Sequence, residues 1–188
     1  MIEHKVVRGI EKMYITNGEK NIEVSLTWGD IDVLKNYAKE VKRPNTCVLL
    51  GTGQGGSALV VREVVDKNVD IYTIDEKSGF YKLYNRKDIN FISGDYINLE
   101  KNWNKPIGLL LIDTEIDLSK EQFLAWEKHL VENAIVLFHD YGFHAPTVVA
   151  GCNSLFKDNK NYKVLFVPDS SQERNGITSM YQVRKLGN

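Results

Sequence analysis

The chain is poor in the features that mark secreted, redox-active and membrane-spanning proteins. It has two cysteines in 188 residues, and the spacing of Cys47 and Cys152 matches no metal-binding or redox motif. No apolar run approaches the roughly 20 residues that cross a bilayer. Residues 1–5 lack the apolar core of a signal peptide. We therefore expect a cytoplasmic protein whose cysteines are reduced and packed in the interior.

An excess of charge of one sign is also missing. The chain has 24 Lys and Arg against 25 Asp and Glu, which gives a formal net charge of −1. Domains that bind nucleic acid usually carry a strongly basic surface, because they neutralise phosphates. The charge therefore favours a small-molecule partner over nucleic acid or a membrane, and it leaves open whether the protein forms a homo-oligomer.

Short apolar runs alternate with helical patterns along most of the chain. The continuously apolar run Ile107–Ile112 is typical of a parallel strand that helices cover on both faces. The pattern predicts an α/β fold, with a Rossmann-like, seven-stranded, mostly parallel sheet, helices on both faces and a C-terminal antiparallel hairpin. The predicted strands are 46–50, 69–74, 89–93, 107–112, 134–138, 162–167 and 177–183.

The weak periodicity of residues 1–29 predicts an N-terminal cap or edge segment before a single Rossmann-like domain over 30–188. Within that domain we predict a helix capped by Asp30 and a polar helix near 78–87. Ser119 and Gln122 have the spacing of a capping box, and Pro146 is placed as the first residue of a helix.

A glycine-rich turn follows the first predicted strand of this domain. Such a turn between strand and helix brings the backbone close to a nucleotide-like ligand. About 20–25 residues later, the next strand ends in Asp75, whose carboxylate can accept both hydroxyls of a ribose. We therefore predict a site for an adenosine-containing cofactor. Its residues are Gly51, Thr52, Gly53, Gly55, Gly56, Ser57 and Asp75.

Acidic residues and histidines follow the later strands. Asp95 could accept a hydrogen bond from an adenine amino group or cap the short helix after it. Asp113 and Asp140 end neighbouring strands, so their carboxylates either converge on a cation such as Mg²⁺ or cap the following loops. His139 and His144 flank the same edge, either as a general base or as hydrogen-bonded structural groups.

Together these residues resemble the class I S-adenosylmethionine-dependent methyltransferases over residues 44–183. The likeness is strongest to small bacterial O-methyltransferase-like proteins, a group that includes macrolide-sugar methyltransferases and cephalosporin-hydroxylase-type proteins. The segments that carry it are Val48 to Ser57, Ile71 to Asp75, Gly94-Asp95, Leu110 to Asp113 and Val136 to Tyr141.

The resemblance implies a function and roles for the site residues. It implies S-adenosylmethionine on the glycine loop and Asp75, and methyl transfer to an oxygen of a small molecule or sugar. Asp113, His139 and His144 would be the catalytic residues, and Asp113 and Asp140 would hold Mg²⁺ if a metal is used.

Two departures from the family pattern keep other functions open. Leu49 stands where the family has an acid, and Ile116 stands where it has a histidine. A binding protein that retains the fold without catalysis is therefore an alternative. A nicotinamide-dependent oxidoreductase is a third, because Gly51, Gly53 and Gly56 also satisfy the dinucleotide pattern.

Overall fold

The computed structural model describes residues 2–7, 10–17, 20–76, 86–114, 116–142, 145–169 and 178–187. The strands in these ranges are β1 (Ile2–Val7), β2 (Ile10–Asn17), β3 (Lys20–Val24), β4 (Thr46–Leu50), β5 (Ile71–Asp75), β6 (Asn90–Ser93), β7 (Ile107–Ile112), β8 (Leu130–Phe138), β9 (Tyr162–Phe166) and β10 (Tyr181–Lys185). The α-helices are α1 (Trp28–Ala38), α2 (Gly56–Val64), α3 (Tyr96–Leu99), α4 (Ser119–Trp126) and α5 (Pro146–Phe156).

The main sheet has seven strands in the order β6-β5-β4-β7-β8-β10-β9. Strands β4 to β8 are parallel, and β10 runs antiparallel to both β8 and β9. This confirms the predicted sheet and its C-terminal hairpin. The chain order reverses between β4 and β7, and open α/β sheets bind ligands outside the carboxyl ends of the strands at such a point.

Apolar residues fill both sides of this sheet, because side chains alternate across a strand. Leu49 and Leu109 face one side with residues of α1 and α2. Val48 and Leu110 face the other side with Phe123 of α4 and with residues of α5. The uninterrupted apolar strands predicted from the sequence therefore supply two cores at once.

The N-terminal strands form a separate antiparallel sheet, in the order β1-β2-β3. Ile15, Ile22 and Val24 pack into the same core as α1 and α2. At Gly56 the contact is so close that a Cβ would lie 2.6 Å from the carbonyl oxygen of Glu23. The division of the chain near residue 29 stays a prediction.

The predicted cap of α1 is wrong, and α4 begins at Ser119 as predicted but without the predicted capping box. Thr27, not Asp30, caps α1: its hydroxyl accepts from the Asp30 amide, while the Asp30 carboxylate accepts from the Thr27 amide. Thr and Asp both suit the N-cap position, so the pattern alone did not separate them. Ser119 is the first residue of α4 and makes no cap. Gln122 instead accepts from the Thr114 hydroxyl at 2.6 Å.

The bounds of β8 and β10 differ most from the prediction. β8 begins at Leu130, so residues 131–133, which we expected before the strand, lie inside it. β10 covers 181–185 where 177–183 was predicted. Pro146 opens α5, as predicted. The polar helix predicted near 78–87 lies almost wholly outside the described residues.

Neighbouring residues of α4 offer a matched test of the second core. Phe123 is buried and packs against the rings of Phe138, Phe156 and Tyr162, whereas Leu124 is 52% exposed. We expect Phe123→Ala to lower the free energy of unfolding by about 3–5 kcal/mol, because it removes apolar contacts and leaves a cavity. Leu124→Ala should change it by about 0.5 kcal/mol or less. Urea unfolding measures both, and equal losses would contradict this packing.

Candidate functional site

The candidate site lies at the carboxyl ends of three adjacent strands. The backbone ladder extends one residue past each strand: Gly51 donates to Ile74, Asp113 to Leu50 and His139 to Ile112, at 2.9–3.0 Å. Gly51, Asp113 and His139 are therefore aligned across β4, β7 and β8, where the chain order of the sheet reverses. The predicted glycine loop therefore shares one edge with Asp113 and His139, two of the predicted catalytic residues.

The glycine loop has a shape that side chains would prevent. Gly51 has φ +94°, and a Cβ there would overlap the carbonyl oxygen of Asp113. Asp75 fixes the loop, since its Oδ2 accepts from the amides of Thr52 at 3.0 Å and Gly53 at 3.1 Å. Gly55 then precedes the first turn of α2. Amides at a helix start face outward and suit a negatively charged or polar ligand group.

Asp95 begins the short helix α3. Its Oδ1 accepts from the amide of Asn98 at 2.6 Å, which is the capping role considered from the sequence. Contact with an adenine stays a prediction.

His139 is the centre of the site. Its side chain is 3% exposed, and its Nδ1 lies 2.7 Å from Asp113 Oδ1. The same nitrogen is 3.4 Å from Asp140 Oδ1, and Nε2 is 3.4 Å from Asp30 Oδ2. The Nε2 contact is an ion pair without a well-formed hydrogen bond, and Nε2 has no other acceptor among the described residues. Three carboxylates thus surround one buried imidazole.

Charge decides the protonation of this ring. Burial alone lowers the pKa of His139, but the carboxylates of Asp113 and Asp30 outweigh it and raise the pKa to about 10. Burial raises the pKa of Asp30, but His139 and Thr27 lower it by more. The net pKa of Asp30 is therefore well below the usual range. A His139 ring with a pKa of about 10 is charged at neutral pH, which argues against His139 as a general base.

The sequence analysis did not assign Asp30 to the site. Its carboxylate is fully buried and accepts from the hydroxyls of Thr27 and Thr178 and from the amides of Thr27 and Ser179, at 2.7–2.9 Å. These bonds join the start of α1 to the segment before β10 and direct the carboxylate toward His139. The sequence signal, an acid in a helical first turn, is the same as that of an ordinary cap.

One ligand atom each from Asp113, His139 and Asp140 lie within 4.8 Å of one another. Asp140 has φ +60°, a left-handed conformation that costs a non-glycine residue about 1–2 kcal/mol. Strain of this kind is concentrated at functional sites. The carboxylates of Asp113 and Asp140 therefore lie close together, one of the two arrangements considered from the sequence, with His139 beside them. His144 lies outside the described residues.

The sequence also matches a known protein family. Residues 48–141, half of the chain, match a family described as a methyltransferase domain. The chain belongs to this methyltransferase family. The matched span contains the glycine loop and the acids after β5, β7 and β8, but not Asp30. No curated protein sequence matches the chain significantly. Within the described ranges, no helix has both the length and the apolar character to cross a membrane.

Solved methyltransferases share the fold of this family member at low sequence identity. The O-methyltransferase TomG from Streptomyces achromogenes, solved with SAM, has a TM-score of 0.69 and 12% identity, over 84% of this chain and 79% of TomG. SAH-bound PaMTH1 from Podospora anserina has a TM-score of 0.66 and 15% identity, over 84% of this chain and 78% of PaMTH1. An rRNA methylase from Streptococcus thermophilus has a TM-score of 0.61 and 16% identity, over 84% of this chain and 97% of the methylase. These likenesses confirm the methyltransferase fold.

Two glycines of the loop provide a test of its construction. We expect Gly51→Ala to lower the free energy of unfolding by about 2–5 kcal/mol, because the new Cβ meets the β7 backbone at an unfavourable φ. Gly53→Ala has φ +49° and no neighbour within 4 Å, so its cost should be about 1 kcal/mol. Chemical denaturation of both variants measures the difference. A Gly51→Ala protein as stable as Gly53→Ala would contradict the close packing at Asp113.

Proposed function

We propose that the protein is an S-adenosylmethionine-dependent methyltransferase that acts on a hydroxyl of a small molecule or sugar. The observation that carries this proposal is the glycine loop, held by Asp75 directly beside the cluster of Asp113, His139 and Asp140. A methyl donor on the loop and an acceptor over the cluster would be neighbours. Holding two reactants in this way supplies much of the catalysis in a displacement reaction.

The cofactor would lie across the reversal point between β4 and β7. Gly51, Thr52, Gly53, Gly55, Gly56 and Ser57 would surround its methionine end, with Asp75 on the ribose and Asp95 near the adenine. Bound S-adenosylmethionine supplies an electrophilic methyl group on a sulfonium. Leu49 is fully buried in the core below the loop and offers no polar group, so the contacts to the methionine end would come from the loop itself.

A divalent cation fits the other half of the site. Asp113 and Asp140 offer carboxylate oxygens, which Mg²⁺ and similar cations prefer. Such an ion would lower the pKa of an acceptor hydroxyl. Their side chains are 22% and 26% exposed, so a small acceptor can reach both.

The acceptor proton needs a base other than His139, which is buried and held by carboxylates. His144, five residues along the chain, is the predicted histidine that remains for this role, and the carboxylate of Asp140 is an alternative.

A small acceptor is favoured over RNA by the charge of the chain. A net charge of −1 provides no broad basic surface for phosphates, although the structural neighbours include an rRNA methylase. A panel of hydroxylated aromatics and nucleotide sugars, run beside ribosomal RNA with radiolabelled S-adenosylmethionine, would test this preference. Methylation of RNA alone would overturn the small-molecule proposal.

Cofactor binding can be tested with a pair of variants at the two ends of β5. We expect isothermal titration with S-adenosylhomocysteine (SAH) to give micromolar binding to the unaltered protein. Asp75→Asn should weaken it about tenfold or more, or about 1.4 kcal/mol, because one carboxylate supports both loop and ribose. Asp70→Asn, directly before the opposite end of β5, should leave the affinity within about twofold.

Each result of this titration has a clear meaning. Absence of SAH binding to the unaltered protein at millimolar concentration would remove the methyltransferase proposal and favour a binding protein on the same fold. Equal weakening by the two variants would remove Asp75 from the cofactor site. Preferential binding of NAD(H) would favour the oxidoreductase alternative.

A further inference from the structure

Asp30 is a buried charge that the proposed chemistry does not use. It lies outside the matched family span, on α1, yet its carboxylate reaches the far nitrogen of His139. Burying a carboxylate costs free energy unless it is paired, and here the pairing is with an imidazole that also contacts Asp113. A capping function alone would need neither the full burial nor the contact with His139.

The imidazole is placed as a metal ligand would be. Nδ1 is 2.7 Å from Asp113 Oδ1 and 3.4 Å from Asp140 Oδ1. Adjacent ligands of an octahedral ion with bonds of about 2.1 Å lie about 3 Å apart. The two separations from Nδ1 bracket that value, and the ligand atoms of all three residues lie within 4.8 Å of one another. Histidines that bind metals usually direct their second ring nitrogen to a carboxylate, which fixes the ring and its tautomer. Asp30 stands at that position.

We propose that Asp30 is a positioning residue that directs Nδ1 of His139 toward Asp113 and Asp140, making His139 the third protein ligand of a divalent metal. The role exists only if the cation site of the proposed function exists. An imidazole nitrogen beside two carboxylates favours a first-row transition ion such as Mn²⁺ or Fe²⁺ over Mg²⁺, whose preferred ligands are oxygens.

Asp30 has four firm bonds to Thr27, Thr178 and Ser179 that do not involve His139. These bonds hold the carboxylate whether or not a metal is bound. They also supply a control, because Thr178→Val removes one bond to Asp30 without touching the imidazole. If Asp30 were merely structural, Asp30→Asn and Thr178→Val would change the affinity for Mn²⁺ to the same extent.

The experiment is a Mn²⁺ titration of the full chain, following the electron spin resonance signal of the free ion. We expect Asp30→Asn to weaken Mn²⁺ binding about 10- to 100-fold, the usual effect of losing such an outer partner. Thr178→Val should lower the melting temperature but leave Mn²⁺ affinity within about twofold. Both variants should retain SAH binding. Equal Mn²⁺ affinity of Asp30→Asn and the unaltered protein, or equal losses in both variants, would overturn the proposal.

A second measurement needs no substitution at Asp30 and so remains decisive if that variant does not fold. Spin-echo modulation of Mn²⁺ bound to the unaltered protein should show coupling to a histidine nitrogen, which changes on ¹⁵N-histidine labelling. His144→Gln should retain the coupling. No nitrogen coupling, its loss in His144→Gln, or no Mn²⁺ binding would overturn the role of His139. SAH binding, measured separately, tells this failure from a failure of the methyltransferase proposal.

Discussion

The ion-paired contact of His139 with Asp30 and Asp113 is the interaction on which the rest of the site depends. It joins the start of α1, the end of β7 and the end of β8, and through Ser179 the start of β10. Removing one partner of a buried ion pair costs about 3–5 kcal/mol, since the other charge is left uncompensated. The same ion pairs therefore stabilise the packing of these segments and fix the geometry of the site.

The two halves of the site are built on different principles. On the cofactor side, Asp75 binds backbone amides of Thr52 and Gly53, and Gly51 is needed for its shape. Backbone contacts depend little on side-chain identity, which suits a fold shared with methyltransferases at 12–16% identity. On the other side, the contacts are between charged side chains. These contacts depend directly on which side chains stand at Asp30, Asp113 and His139.

Much of the architecture could be predicted because its signals are local. The apolar run Ile107–Ile112, the glycine turn and the acids after strands each occupy a few consecutive residues, and parallel strands then bring their ends to one edge. Asp30 could not be assigned in this way. Its partner Ser179 is 149 residues away, and an acid near a helix start has the same local pattern whether it caps the helix or enters a site. The register between β7 and β8, which shifts between Ile107 and Leu109, could not be predicted from the sequence either.

The position of His139 restricts the mechanism in either state of the site. Both ring nitrogens face carboxylates, Nδ1 that of Asp113 and Nε2 that of Asp30, and these carboxylates raise the pKa of the ring. With a metal on Nδ1, the remaining proton of Nε2 would still face Asp30. Neither state leaves a lone pair for an acceptor hydroxyl, and the ring is 3% exposed. In the proposed methyl transfer, His139 would therefore organise charge, and the base that removes the acceptor proton would be another group.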